Sequence, residues 1–150
     1  MEIMQVQSGE YLISTDRDKL DLDLIHLFLS NTYWAKGIPR STVERSLQHS
    51  LCFGLYHEQQ QTGFARVITD YTTFAYLADV FIIPSYRGKG LSKWLVKTIL
   101  EHPELQGLRR WILATADAHG LYAQFGFTPL PHPERFMQIH YPDVYKQTHP

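Results

Sequence analysis

The sequence predicts one α/β domain of the α+β kind, a largely antiparallel sheet flanked by helices, spanning residues 1–150. Three observations predict it. Between residues 51 and 83, the runs LCFGLYH, GFARVIT and FAYLADVFII are rich in aromatic and β-branched residues and are separated by short polar stretches, as sequential antiparallel strands are. Segments 18–30 and 91–102 instead repeat their apolar residues at helical spacing, and 41–50 opens with a capping-box pattern. At 80–96, VFIIPSYRGKGLSKWLV passes from strand through a proline and two glycines into helix. With 150 residues, 44% of them apolar, the chain can build a sizeable core without disulfides.

Taken in order, YLIST (11–15) predicts a first strand, and DKLDLDLIHLFLS (18–30) a helix presenting Leu20, Leu24, Leu27 and Phe28. After the loop NTYWAKGIP, Ser41 and Glu44 stand at capping-box spacing and predict a short second helix from Ser41. The three-strand meander follows, its last turn made by DYTT. LSKWLVKTILEH (91–102) predicts an amphipathic helix with Leu91, Trp94, Leu95 and Ile99 inward and Lys93, Lys97 and Glu101 outward. RRWILAT (109–115) predicts a buried strand, and DAHGLYAQFGF a helix ended by Gly126. The proline-punctuated remainder leaves room for one short strand around Phe136–Ile139.

Composition excludes several classes of function. Fourteen basic against fifteen acidic residues give a net charge of −1, with no electrostatic footprint for nucleic acid or an anionic membrane. The single cysteine, Cys52, cannot form an intramolecular disulfide, and its apolar setting predicts a buried thiol in a reducing compartment. The N-terminal stretch lacks the features of a secretory signal and no run of about 18 apolar residues occurs, so the expected location is cytoplasmic. Eight histidines invite a metal, yet no two lie three or four apart and no P-C-x-x-C accompanies the two HPE triplets, so no metal is expected. There is no G-x-S-x-G elbow for a hydrolase.

The glycine turn carries the functional signal. Strand, Gly-rich turn and helix together suit an anion, because glycines permit close backbone approach and the first helical N–H groups point outward. A Walker A loop is excluded because Gly90 is followed by Leu91 and Ser92, and the G-x-G-x-x-G dinucleotide fingerprint is absent. IIPSYRGKGLS instead resembles the cofactor loop of the GNAT-type N-acetyltransferase superfamily, [QR]-x-x-G-x-[GA], with Arg87, Gly90 and Ser92 at its three positions and Ser92 replacing the usual Gly or Ala. LYAQFGF, Leu121–Phe127, is similar to a second pattern of that family, [LA]-Y-x-x-x-G-F.

The resemblance implies a GNAT fold, an α+β mixed sheet that is mostly antiparallel, with about four flanking helices. Its middle two strands, here near 74–83 and 109–115, would run parallel and splay apart, with acetyl-CoA as co-substrate in the wedge. The pyrophosphate would meet the backbone of Arg87, Gly88, Lys89, Gly90, Leu91 and Ser92, and the pantetheine arm would pair like an added strand with Phe81, Ile82 and Ile83. The implied activity is transfer of acetyl to a primary amine of a small molecule or peptide, by direct attack in a ternary complex. A GNAT-fold module that binds acyl-CoA without transferring it, and a domain serving only a protein interface, are the alternatives. A homodimer is compatible with the resemblance.

Acetyl transfer needs a neutral amine, a stabilised oxyanion and a proton for the departing thiolate. By its motif position Tyr122 is the general acid, since a phenol can protonate a thiolate whose reference pKa is about 8.5. A backbone N–H near Ile82 would meet the oxyanion. Asp79, an acid amid apolar strand residues, reads either as the amine's base or as a structural hydrogen-bond acceptor. Asp117 and His119 are further candidates for the base, and Thr115 stands where the family often has Asn. Tyr33 and Trp34 either line the acceptor pocket or cap the core, and Arg66 and Asp70 are placed toward the same cleft.

Overall fold

The computed structural model describes residues 1–146. Six strands, β1 (Gln5–Ser8), β2 (Tyr11–Ser14), β3 (Leu51–His57), β4 (Gln60–Thr69), β5 (Phe74–Ile82) and β6 (Arg110–Ile112), form a single sheet in sequence order. All neighbours pair antiparallel except β5 and β6, which run parallel. Helices α1 (Leu22–Leu29) and α2 (Arg40–Gln48) cover one face. Helix α3 (Leu91–Leu100) and the short α4 (His119–Ala123) cover the other.

Strand alternation divides the core. Phe53, Leu55, Ala65, Val67 and Leu77 pack against Leu91, Leu95, Val96 and Ile99 of α3. Cys52, Phe64 and Phe81 pack against Ile25 and Leu29 of α1 and Val43 and Leu47 of α2. Phe81 reaches that second face through a β-bulge. Phe64 pairs with Phe81 but Arg66 with Ala78, so Ala65 alone opposes Asp79 and Val80. The extra residue reverses the parity of β5, sending Ile82 to the α3 core and stacking Phe81 on Phe28 with ring centroids 4.0 Å apart. Asp79 takes the strain, at φ +56°.

Several expectations are corrected. A strand the sequence does not signal, β1, pairs with β2 as a hairpin; its QVQS is largely exposed and has no apolar alternation. The segment 18–30 divides into a 3₁₀ turn at Arg17–Lys19 and α1, because Asp21 caps the backbone N–H of Leu24 and restarts the helix. Ile25 and Leu29 face inward while Leu27 is exposed. The capping box at Ser41 and Glu44 does not form: Pro39 is the N-cap, with no side-chain bond, and α2 begins at Arg40. Strand β6 is only Arg110–Ile112, half-buried, and lies at the sheet's edge, not in its middle. No strand forms at Phe136–Ile139; a 3₁₀ turn at Pro133–Arg135 precedes an exposed tail. Among the described residues no helix is long and apolar enough to cross a membrane.

Candidate active site

Parallel strands β5 and β6 pair only from Phe74–Tyr76 to Arg110–Ile112. Beyond that they part, and a cavity of about 700 Å³ opens between β5 residues 76–80 and the segment 113–118. It reaches both faces of the sheet. Tyr33, Trp34, Arg66 and Ile68 line it from the α1–α2 side, while Leu77, Val80 and Tyr122 belong to the α3 side. The parting of the strands thus leaves a cavity lined by residues from both faces of the sheet.

The glycine turn sits at the end of β5. Gly88 and Gly90 both have φ +79°, and among the described residues nothing lies within 4 Å of a Cβ added at either. Gly90 is the N-cap of α3, whose first intrahelical bond runs from the Trp94 N–H to the Gly90 carbonyl at 3.2 Å. Consequently the N–H groups of Gly88, Lys89, Gly90, Leu91 and Ser92 have no protein acceptor among the described residues. Arg87 differs from the residues after it: its backbone N–H donates to the Pro84 carbonyl at 3.2 Å, and its Nε donates to the Ile82 carbonyl at 2.9 Å. The side chain therefore ties the turn to the strand end, and the free donors begin at Gly88. Ile83 donates its N–H to Thr62 of the neighbouring strand at 2.9 Å. By alternation the N–H groups of Val80 and Ile82 point the opposite way, toward the parted edge.

Tyr122 lies on α4, buried, with its ring against Phe127 and lining the cavity. Burial, with a lesser contribution from Asp117, raises its phenol above the ordinary tyrosine value. The hydroxyl is protonated across the neutral range. Asp117 also lines the cavity and is exposed, whereas His119, the first residue of α4, is exposed and outside it. Thr115 accepts from the Ala118 N–H at 3.0 Å, shaping the turn into α4.

On the opposite face the loop after α1 is folded back by Gly37 N–H to Ser30 carbonyl and by Ala35 N–H to Thr32 Oγ1, with Thr32 and Ala35 buried. This anchoring leaves Tyr33 and Trp34 outward, packed edge to face at 5.1 Å. They bridge the wedge. Trp34 donates its indole N–H to Asp79 Oδ1 at 2.8 Å, and Tyr33 Oη accepts from the Ala116 N–H at 3.2 Å. Asp79 Oδ2 accepts from Arg66 Nε at 2.8 Å, with both side chains largely buried, and Arg66 Nη1 donates to Ser50 Oγ at 3.0 Å. Sequence spacing could not bring these groups together, since Trp34 and Asp79 are 45 residues apart.

Three other groups fall outside the site. Asp70, expected toward the cleft, instead organises the β4–β5 turn, accepting from Thr72, Thr73 and Phe74; these bonds hold its carboxyl well below the usual carboxylate range. Cys52 is buried as expected, and burial pushes its thiol up to about 11. Glu10, His57 and Glu58 converge on the β2–β3 edge with ligand atoms within 4.8 Å, but both ring nitrogens of His57 are already engaged, by Tyr86 and Glu10.

Residues 21–127 match the family model described as Acetyltransferase (GNAT) family. A Gibberella zeae protein named "Putative acetyltransferase FG08082" is 36% identical over 139 residues, the match covering 77% of this chain and 77% of that protein. A Xanthomonas campestris pv. campestris crystal structure, described as a putative acetyltransferase of the GNAT family, is 53% identical. It superimposes with a TM-score of 0.89 over 91% of this chain and 97% of that one. A Clostridium acetobutylicum protein solved with acetyl-CoA shares the fold at 13% identity, with a TM-score of 0.58 over 93% of this chain and 98% of its own.

Proposed function

The chain belongs to the acetyltransferase (GNAT) family, and from that premise we propose that it moves the acetyl group of acetyl-CoA to a primary amine of a small molecule or peptide, by direct attack within a ternary complex. The observation that carries this reading is the run of unpaired backbone N–H groups from Gly88 to Ser92, opening at the head of α3 beside the β5–β6 wedge. These donors, the positive end of a ten-residue helix and the Lys89 side chain suit a diphosphate. The open space in front of Gly88 and Gly90 suits its close approach. The fold-level relative solved with acetyl-CoA points to the same ligand.

Bound there, acetyl-CoA supplies an acyl group activated as a thioester, with a thiol as leaving group. Gly88, Lys89, Gly90, Leu91 and Ser92 would hold its diphosphate, and the N–H groups of Val80 and Ile82 would face its arm. A backbone N–H at that strand end is fixed in place and can meet charge developing on a carbonyl oxygen without reorganising. Tyr122 holds its proton at the cavity wall, where the phenol can protonate a departing thiolate. The amine enters from the α1–α2 face, past Tyr33 and Trp34.

The test is release of free coenzyme A, measured with a thiol reagent against a panel of primary amines. The expected outcome is amine-dependent release with one N-acetylated product per coenzyme A. Binding of acetyl-CoA without release across the panel would instead identify a non-catalytic acyl-CoA-binding module.

A further inference from the structure

We propose that the acceptor is a weakly basic primary amine carried on an aromatic or apolar body, and that Asp79 positions the acceptor wall instead of taking the amine's proton. The inference rests on the acetyltransferase reading above and names the substrate class of that same cavity.

The charged and titratable groups facing the cavity are Arg66 from β4, Tyr76 and Asp79 from β5, Tyr33 from the loop after α1, and Asp117 and Tyr122 from the far wall. Among the described residues the lining contains no His, Lys or Glu. Of its two carboxylates, Asp79 lies on the amine's face, and each of its oxygens already accepts a bond, from Arg66 and from Trp34. Moving a proton onto Asp79 would break a short charge-assisted pair, which Ser50 holds in place from the other side. Asp117 is exposed and lines the far wall with Tyr122, away from the amine's face. Tyr122 already carries a proton, and Arg66, a permanently protonated guanidinium, has no lone pair to accept one. The amine must therefore arrive neutral.

That requirement selects by basicity. At pH 7.5 a lysine-type amine with a pKa of about 10.4 is neutral in roughly one molecule in 800, whereas an α-amine near 7.8 is neutral in about one in three. The entrance selects by shape, because Tyr33, Trp34, Ile68 and Tyr76 offer flat apolar surface. The Arg66–Asp79 pair is neutral as a unit, and the single remaining carboxylate of the lining, Asp117, is little charge to select a polycation. The α-amine of an aromatic amino-acid amide has both properties.

Phenylalaninamide and 2-phenylethylamine share an aromatic body and differ in amine basicity. The inference expects kcat/KM at pH 7.5 to favour phenylalaninamide by on the order of 30- to 100-fold. It also expects each pH profile to break at the amine's own pKa: phenylalaninamide should level off above about pH 8, while 2-phenylethylamine keeps climbing by about tenfold per unit to beyond pH 9. Asp79→Asn, an exchange the left-handed backbone accepts, should raise KM several-fold and leave both breaks where they were. Trp34→Phe, which removes only the indole donor, should do the same if Asp79→Asn folds poorly. A common break for both amines that disappears in Asp79→Asn would overturn the inference by exposing an enzymic base. Turnover of lysine-type amines in preference to phenylalaninamide would overturn it while leaving the acetyltransferase reading intact. Coenzyme A release with no amine at all would end both.

Discussion

Removing Arg66 should destabilise the protein through the partner it leaves behind. The Arg66 and Asp79 side chains are 17% and 11% exposed and meet at 2.8 Å, which places the pair nearer the buried than the surface limit. A lost partner costs about 3–5 kcal/mol in a buried pair and about 0–1 kcal/mol at the surface. With residual exposure and the Trp34 N–H still bonding Asp79, Arg66→Met should cost about 2–3 kcal/mol, lowering Tm by roughly 5–10 °C in a domain of this size. Asp79→Asn alone should cost less, because the amide still accepts from one neighbour and Asn tolerates a positive φ. The assay is a double-mutant cycle by urea unfolding. The double variant should recover part of the single-variant loss, giving a coupling of about 1–3 kcal/mol. Strictly additive effects would refute the pairing and, with it, the argument that Asp79 is committed to Arg66.

Two further outcomes follow from the titrating groups. Tyr122→Phe should lower kcat by on the order of a hundredfold or more while acetyl-CoA affinity holds. Because burial raises the Tyr122 pKa, the wild-type acid form should persist past pH 10, and an alkaline loss of kcat near pH 8–9 would contradict its role. His102 is buried and its pKa is lowered by desolvation, with Nδ1 accepting from the Glu104 N–H and Nε2 unpartnered. The unfolded chain therefore binds a proton that the folded chain resists, so stability should fall as pH drops below about 6.5. Urea unfolding at pH 7.5 and 5.5 should show wild type losing more stability than His102→Asn, which keeps an N-cap acceptor; equal losses would contradict this.

The parts of the site legible in the sequence are those that short segments determine by themselves. The meander, α3 and the glycine turn lie where their apolar period and turn residues put them, and Tyr122 reaches the wedge because α4 follows directly from β6. What was illegible depends on partners distant in sequence. In α1 the leucine-rich LDLDLIHLFL offers more than one apolar stripe, and only contact with the sheet selects Ile25 and Leu29 over Leu27. Ser41 and Glu44 have capping-box spacing, yet Pro39 sets the helix start one residue earlier. The tail around Phe136–Ile139 has strand composition but pairs with no strand among the described residues, and Phe136 lies under Arg110 instead. The bulge at Asp79 and Val80 arises from a register shift against β4 that no local pattern announces, and it makes Asp79 the hub linking Arg66, Trp34 and the loop after α1.

On the function proposed above, the Gly88–Ser92 turn and the wedge beside it bind acetyl-CoA. Thermal unfolding of the purified protein with acetyl-CoA, and with ATP and NAD as controls, tests it most directly. At about 100 times its dissociation constant a ligand specific to the native state adds about 2.7 kcal/mol, equivalent to a rise in Tm of roughly 5–10 °C here. Tm should rise with acetyl-CoA and stay unchanged with NAD or ATP; no rise at saturating acetyl-CoA, or an equal rise with ATP, would rule out a site specific for acetyl-CoA.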